Sequence, residues 1–176
     1  FAKLNSLTDE GMIRLLYKAG AAGVEVRLIV RGACCLKPQV PGLSENIWAI
    51  SIVDKFLEHA RILIFCNADE EKVYIASADW MPRNLDRRIE VAAPVDCPRL
   101  ARTLRDIFAI QWSDNVKARV LDDACCNSYH TGLTAVPCRS QLLLYDYYAR
   151  KALRQGTSPK RRQKTDAAKA RDNAPR

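Results

Sequence analysis

The stretch from Phe56 to Glu90 constrains the fold of this 176-residue chain more than any other. Its centre holds two runs of strand-forming residues, ILIF (62–65) and KVYIAS (72–77), separated by the acidic, turn-like NADEE. Two such runs around a short polar turn predict a β-hairpin. A hairpin folds the stretch back on itself, so its two polar ends are predicted to lie together.

The two ends of this hairpin carry side chains suited to phosphate. His59 precedes the first run, and a polar set follows the second. Guanidinium and amide groups bind phosphate through hydrogen bonds, and imidazole can change its charge near neutral pH. We therefore expect a phosphate-binding site where the ends meet. The polar set consists of Ser77, Asp79, Arg83, Asn84, Arg87, Arg88 and Glu90.

The first thirty residues predict a parallel, right-handed βαβ unit. A short strand at residues 1–5 is followed by Thr8 or Asp9 as the helix cap, by apolar residues at helical spacing, and by the strand Val24–Val30. Arg31 stands at the carboxyl end of that strand, where ligands bind in open α/β sheets. The alternative for Arg31 is a surface salt bridge.

The segment Ser51–His59, SIVDKFLEH, predicts a helix. Its expected buried face consists of Ile52, Val53, Phe56 and Leu57. This places His59 at the carbonyl-rich helix C-terminus, which favours a protonated imidazole. The ordinary alternative is that His59 is only a packing residue.

The rest of the chain predicts further alternation of helices and strands. A short helix follows the hairpin, IEVAAPV (89–95) and VKARVL (116–121) are predicted strands, and Gln141–Leu153 is a predicted helix. Residues Arg99–Trp112 form an amphipathic helix. No P-loop, Rossmann glycine pattern or GxSxG occurs. The apolar stripe of the amphipathic helix comprises Leu100, Leu104, Ile107, Phe108 and Gln111.

The net charge of +8 is confined to the end of the chain. Residues 150–176 contain ten basic and two acidic side chains, so the first 149 residues carry equal numbers of basic and acidic side chains. The two predicted units are a domain at 1–153 and a disordered basic tail at 154–176, because the tail lacks large apolar residues. The tail is either a solvated terminus or a contact for polyanions or an anionic membrane.

The seven cysteines do not predict a zinc site or a disulfide framework. They occur as two adjacent pairs and three single residues without CxxC, and only two histidines are present. Small buried thiols in a reducing cytoplasm are expected instead. No apolar run approaches the roughly 18 to 20 residues of a membrane span. We therefore expect a cytoplasmic protein, with the tail leaving open a peripheral contact at the inner membrane face.

Several runs in order resemble the C-terminal domain of the long bacterial polyphosphate kinase family, which reversibly transfers the terminal phosphate of ATP to polyphosphate. The resemblance covers roughly residues 1–150 and excludes Asp122–Val136 and the basic tail. The matching runs are KLNSLTD, AGVEVRLIVRGACCL, PGLSENI, SIVDKFLEHARI, VYIASADWMPRNLDRRIEV, DNVKAR and RSQLLLYDYY.

The resemblance implies an α/β fold, a phospholipase D-like half with a mixed, largely parallel sheet flanked by helices. It also implies that Arg31, in LIVRG, and His59, in FLEH, contact ATP and phosphate, with His59 as the catalytic residue. Four arginines are the expected lining of a polyphosphate channel, while Glu90 is expected to orient one of them in a buried pair. The four arginines are Arg61, Arg83, Arg87 and Arg88. For Arg83, Arg87 and Arg88 the alternative is a structural ion-pair network.

The resemblance further implies parts that this chain lacks. The family's phosphorylated histidine, its Mg²⁺-binding arginines and an ATP-contacting tyrosine lie in a preceding domain, so no metal ligand is expected here. The chain is therefore expected to be one half of a divided site and nearly inactive alone. ATP or ADP, polyphosphate, the upstream domains and identical chains are the expected partners, without specific nucleic acid.

Two other functions remain open from the sequence. A non-catalytic module could bind polyanions through the arginines and the tail. A phospholipase D-like phosphodiesterase is disfavoured because His59 and Arg61 form HxR where that fold has HxK, and no second copy of the motif is present.

Overall fold

The computed structural model of the chain describes residues 1–131 and 136–154. It is an α/β structure with one seven-stranded sheet. The elements in chain order are β1 (Ala2–Leu4), α1 (Glu10–Ala21), β2 (Val26–Val30), β3 (Ile47–Ile52), β4 (Arg61–Phe65), β5 (Lys72–Ala76), α2 (Pro82–Leu85), β6 (Ala92–Pro94), α3 (Pro98–Trp112), β7 (Ala118–Leu121) and α4 (Ser140–Arg154).

The strand order across the sheet is β6-β5-β4-β1-β2-β3-β7. The predicted βαβ unit is confirmed, with β1 parallel to β2, and so is the predicted hairpin of β4 and β5. The mixed sheet is confirmed, but the expectation that it is largely parallel is wrong: the described strands form two parallel and four antiparallel neighbour pairs. The connection from β4 to β5 is too short for the crossover that parallel neighbours require.

Apolar side chains cover both faces of the sheet. One cluster joins β1, β2 and α1, and it includes Leu4, Leu28 and Ile13. The other lies under α3 and includes Ile29, Ile62 and Phe108. Successive residues of a strand point to opposite faces, so β2, β3 and β4 contribute to both clusters.

The first and third helices form where the sequence predicts them. Asp9 caps α1, its carboxylate accepting the Met12 N–H at 2.8 Å. In α3, Leu104, Ile107, Phe108 and Gln111 are at least partly buried, as predicted. Leu100 is instead 47% exposed. Ala101 packs against the α3 cluster in the first turns, so the buried stripe is narrower than predicted.

The predicted helix at Ser51–His59 is wrong. Strand β3 extends to Ile52, where it pairs with β7, and residues 53–60 form a non-helical connection. The Gln141 side chain accepts the Phe56 N–H and donates to the Phe56 carbonyl, both at 2.9 Å, in place of helical bonds. Phe56 and Leu57 are 58% and 70% exposed. His59 therefore does not lie at a helix C-terminus, and its position depends on the strand that follows.

The expectation of buried thiols is also wrong for most of the cysteines. All seven are unbridged; Cys34 and Cys138 are partly buried and the other five are exposed. Each cysteine lies in a connection between elements and outside the strands and helices. Chain connections run over the surface, which explains the exposure.

The chain divides into two units, residues 1–144 and residues from 145 onward. In the second unit, Tyr147 and Tyr148 pack edge to face with ring centroids 5.2 Å apart. The predicted domain boundary at 153 stays a prediction, and the predicted disordered tail lies outside the described residues. Among the helices described here, none has both the length and the hydropathy needed to cross a membrane.

Asp114 organises the connection between α3 and β7. Its side chain is fully buried, and one carboxylate oxygen accepts the N–H groups of Val116, Lys117 and Ala118. The other accepts the Ser140 N–H at 2.7 Å. Burial raises the pKa of Asp114, but the hydrogen bonds from backbone N–H groups together lower it further than burial raises it.

We expect Asp114→Asn to lower the free energy of unfolding by about 3 kcal/mol, because the amide places an N–H₂ donor against a backbone donor. Urea denaturation followed by circular dichroism measures this difference. The exposed Asp96→Asn variant is the control and should change the free energy of unfolding by less than about 0.5 kcal/mol. Equal stability of Asp114→Asn and the parent chain would contradict the assigned role.

Candidate functional site

Some of the polar residues singled out from the sequence meet at one edge of the sheet. Strands β1, β2 and β5 end at this edge, whereas the antiparallel strand β4 begins there. The edge therefore receives Asn5, Arg31, Arg61 and Asp79 from four neighbouring segments. We call this set, together with His59, the edge site.

The centre of the edge site is a buried ion pair between Arg61 and Asp79. The Arg61 Nε and Nη2 atoms donate to the two Asp79 carboxylate oxygens at 3.0 and 2.9 Å. Their side chains are only 12% and 4% exposed. Burial raises the pKa of Asp79, but hydrogen bonds from Arg61 and from the N–H groups of Asn5 and Ser6 outweigh burial and lower it. The carboxylate therefore stays ionised and fixes the Arg61 guanidinium.

His59 lies against the Arg61 guanidinium at the surface of the site. The two ring nitrogens lie 3.2 and 3.3 Å from Arg61 Nη1 and Nη2. A neutral imidazole has one acceptor nitrogen, so at most one of these contacts is a conventional hydrogen bond. The ring is exposed. The sequence predicted that His59 faces the arginines beyond the second run of the hairpin, whereas the arginine at its ring is Arg61, two residues further along the chain.

Arg31 follows β2, as predicted, and keeps most of its hydrogen-bonding capacity. Its Nη1 donates to the Asn5 side-chain oxygen at 3.3 Å, and no carboxylate pairs with it among the described residues. The backbone around it is tightly fixed, because the Gly32 N–H donates to the Asn5 carbonyl at 2.7 Å. A Cβ at Gly32 would lie 2.9 Å from that carbonyl oxygen, so glycine is required there. The surface salt bridge considered for Arg31 is therefore absent from the described residues.

A second polar group, formed by Ser77, Asn84 and Glu90, borders the edge site. The Ser77 hydroxyl and the Asn84 amide both donate to the Glu90 carboxylate, the latter at 2.6 Å. These two hydrogen bonds, that of Ser77 first, lower the pKa of Glu90. The expected buried pair of Glu90 with an arginine is wrong, because a hydroxyl and an amide occupy the carboxylate.

The remaining predicted arginines lie on the surface beyond β5. Arg83, Arg87 and Arg88 are exposed, in and after the short helix α2. None of them forms a salt bridge within the described part of the chain. The alternative of an ion-pair network is therefore not observed for these residues.

Sequence reasoning missed two members of this region, Lys3 and Asn5. Lys3 lies in β1 between the buried Ala2 and Leu4, and it is only 3% exposed. Asn5 connects Arg31 to the ion pair, its N–H donating to Asp79 at 2.7 Å. The available signal was a lysine inside an apolar strand, which is uncommon unless the ammonium has a local role.

The residues described do not assemble a ligand set for the Mg²⁺ that the resemblance implies. Within 1–131 and 136–154, no three histidine, cysteine, aspartate or glutamate side chains converge as metal ligands. Asp79 and Glu90 are already occupied by Arg61, Ser77 and Asn84.

The edge site combines one guanidinium without a carboxylate partner, a second fixed by a buried carboxylate, and an exposed imidazole. Such an arrangement is suited to binding phosphate oxygens, since a planar guanidinium donates two parallel hydrogen bonds to them. It contains no side chain placed as an activated nucleophile. The geometry therefore favours binding and positioning of phosphate groups.

Comparisons with known proteins agree with this chemistry. Residues 1–141 match the family model "Polyphosphate kinase C-terminal domain 2". The chain is 48% identical over 166 residues to the polyphosphate kinase of Vibrio parahaemolyticus and 51% identical over 145 residues to that of Escherichia coli K12. These alignments cover 94% and 82% of this chain, but 23% and 21% of those relatives.

The fold also matches a solved structure. The crystal structure of polyphosphate kinase from Porphyromonas gingivalis superposes with a TM-score of 0.83 at 46% identity, covering 87% of this chain and 24% of that one. The mixed sheet flanked by helices is the predicted phospholipase D-like fold. The chain spans less than a quarter of the length of these relatives. From the family match and this likeness together, the chain belongs to the polyphosphate kinase family and corresponds to its C-terminal domain.

Proposed function

We propose that this chain supplies one wall of the active site of an ATP:polyphosphate phosphotransferase, binding phosphate groups of ATP and polyphosphate at the edge site. The observation that carries the proposal is Arg31, a partly buried guanidinium held by the neutral Asn5 amide and without a carboxylate among the described residues. A cation in that state retains its charge and its donors for an anionic ligand. Transfer runs in both directions between ATP and polyphosphate.

The proposed role of each residue follows from its contacts. Phosphoryl transfer needs positioning and cations around a loose transition state. Arg31 binds the equatorial oxygens, and Arg61 provides a second cation in a position fixed by Asp79. His59 donates a hydrogen bond or a proton to the leaving or bridging oxygen. Its ring is exposed beside the Arg61 guanidinium and is accessible to a ligand.

The other parts of the site are proposed to come from outside this chain. In this proposal an upstream domain carries the phosphorylated histidine and the Mg²⁺ ligands, consistent with the short span of the alignments. Identical chains assemble into the working enzyme. The site here would then hold the phosphates while the other wall performs the covalent step.

The exposed Arg83, Arg87 and Arg88 are proposed, with Arg61, to line the path of the polyphosphate chain. Because they form no salt bridge within the described residues, these surface cations would guide a polyanion by long-range attraction. The basic residues 150–176 are proposed to extend this attraction to polyphosphate or to an anionic membrane surface at the cytoplasmic face.

A non-catalytic polyanion-binding module is the second candidate. It is favoured by the three exposed arginines and by the excess charge at the chain end. A phosphodiesterase is less compatible, because the arginine of the HxR pair is committed to Asp79 and cannot act as the free lysine of an HxK pair. ATP formation from polyphosphate and ADP, measured with the remaining polyphosphate kinase sequence present, distinguishes the phosphotransferase from the non-catalytic module.

We expect this chain to bind tripolyphosphate and His59→Ala to weaken that binding about fivefold, or about 1 kcal/mol. Isothermal titration calorimetry measures the dissociation constant at about 0.3 M salt, where the exposed charges of the chain end are screened. The exposed Lys18→Met variant, on the opposite side of the fold in α1, is the matched control. If His59→Ala leaves the affinity unchanged and binding is lost at the higher salt concentration, the exposed cations alone attract the ligand.

A further inference from the structure

Lys3 is a buried cation at the base of the edge site. It lies in the central strand β1, opposite Ile29 of β2 and Ile62 of β4. Both isoleucines belong to the α3 cluster, so the Lys3 side chain lies on that face of the sheet. A lysine that is 3% exposed between isoleucines has lost most of its hydration.

Buried ammonium groups normally have a hydrogen-bonded acceptor. Lys3 Nζ has none within the residues that the structure describes. The Glu58 carboxylate is close enough to act on it, but that carboxylate accepts the Gln111 amide at 2.6 Å. The ammonium therefore has donors available for another acceptor.

The charges around Lys3 are those of the edge site. Burial lowers the pKa of its ammonium most, Glu58 acts in the opposite direction, Arg31 and Arg61 lower the pKa further, and Asp79 raises it. Glu58 lies in the connection before β4 and Arg31 follows β2. Arg61 lies in β4, and Asp79 lies in the connection after β5. The group of α3 that contacts Glu58 is the Gln111 amide, which carries no charge.

We propose that Lys3 is a phosphate ligand of the edge site, donating from the base of the site to a phosphate oxygen that Arg31 also binds. The inference rests on the proposed function and adds a residue to it. An incoming phosphate supplies the acceptor that the protein does not, and its negative charge offsets the burial of the ammonium. The positive charges of Lys3, Arg31 and Arg61 then surround the phosphate. Asp79 neutralises only the charge of Arg61, so the charges of Lys3 and Arg31 are left for the phosphate.

The proposal distinguishes Lys3 from a residue that only supports the fold. Replacing a buried charge by an apolar side chain of similar shape is often stabilising. Lys3→Met is therefore expected to raise the melting temperature while lowering phosphate affinity. Replacing a purely structural lysine would lower the melting temperature and leave the phosphate affinity of the folded chain unchanged.

The test is titration of the full chain with tripolyphosphate at about 0.3 M salt. Lys3→Met is expected to lower the affinity about tenfold, and the exposed Lys18→Met less than twofold. Parental affinity in a folded Lys3→Met variant, with His59→Ala still weakened, would overturn the Lys3 assignment and leave the proposed function intact. No saturable binding by the parent chain would overturn both.

A measurement on the parent chain covers the case in which Lys3→Met does not fold. Side-chain NMR of the lysine ammonium and adjacent carbon follows the ionisation of Lys3 with and without tripolyphosphate. Saturation is expected to shift the Lys3 signals and raise its pKa by about one unit or more, because the bound anion favours the charged form. Unchanged Lys3 signals at saturation would overturn the proposal.

Discussion

Arg31→Ala should lower the affinity of the chain for tripolyphosphate about 30-fold, or about 2 kcal/mol, because a charge-assisted hydrogen-bonding group is removed from the edge site. Arg31→Lys should recover only part of this loss, since an ammonium keeps the charge but not the planar fork. Isothermal titration calorimetry at about 0.3 M salt measures both variants. The result would establish that Arg31 binds the ligand directly.

The matched control is Arg102→Ala, which removes an equal charge from the exposed surface of α3. It should change the affinity less than twofold, because exposed charges are largely screened at this salt concentration. Equal losses in the two arginine variants would mean that net charge governs binding. The edge site would then have no special role.

Asp79→Ala should destabilise the chain by about 3 to 4 kcal/mol, because it leaves the Arg61 guanidinium buried without its carboxylate. It also removes the acceptor of the Asn5 N–H, which fixes the residue that holds Arg31. Affinity for tripolyphosphate should fall together with stability. The exposed Asp86→Ala, at the end of α2, is the control and should change neither by more than about 0.5 kcal/mol.

The pH dependence of stability gives a second measure of Asp79. Its pKa is lower in the folded chain than in the unfolded chain. Its stabilising contribution is therefore fully present above the unfolded pKa, near 4, and is lost as pH falls through the lower folded pKa. Urea unfolding between about pH 6 and pH 3 should show a smaller pH dependence for Asp79→Ala than for the parent. Parallel curves would contradict the assigned ion pair.

The central features of the fold could be predicted because they depend on local patterns. The hairpin of β4 and β5 follows from two strand-forming runs around a polar turn, and the Asp9 cap follows from a short-range hydrogen bond. The position of Arg31 follows from the rule that ligand-binding residues come after parallel strands. These patterns predicted Arg31 at the end of β2 and His59 at the start of the hairpin, whereas a shared phosphate-binding role for the two was implied by the family resemblance.

The errors arose where distant residues decide the conformation. Residues 51–59 have helical spacing, yet Ser51 and Ile52 pair with β7 and the Gln141 side chain holds Phe56 in a non-helical segment. Glu90 was expected to pair with an arginine, but the turn at α2 brings Asn84 to it. Tertiary contacts override local propensity in both places.

Lys3 and Asn5 were missed for a related reason. A single lysine in a three-residue strand carries no pattern by itself, and its role depends on the order of strands in the sheet. Only because β1 lies between β2 and β4 does Lys3 come within reach of both Arg31 and Arg61. Strand order depends on contacts across the whole chain, so neither composition nor spacing indicated it.

The most direct test of the central claim is turnover in a chimera. This chain replaces the matching C-terminal segment of the Escherichia coli polyphosphate kinase, and ATP formation from polyphosphate and ADP is measured. The chimera should form ATP, and the same chimera carrying Arg31→Ala and His59→Ala should be slower by about 1,000-fold, because two groups that hold the transferring phosphate are removed. A folded double variant that forms ATP within about twofold of the chimera, a difference of only about 0.4 kcal/mol, would contradict the assignment of the edge site.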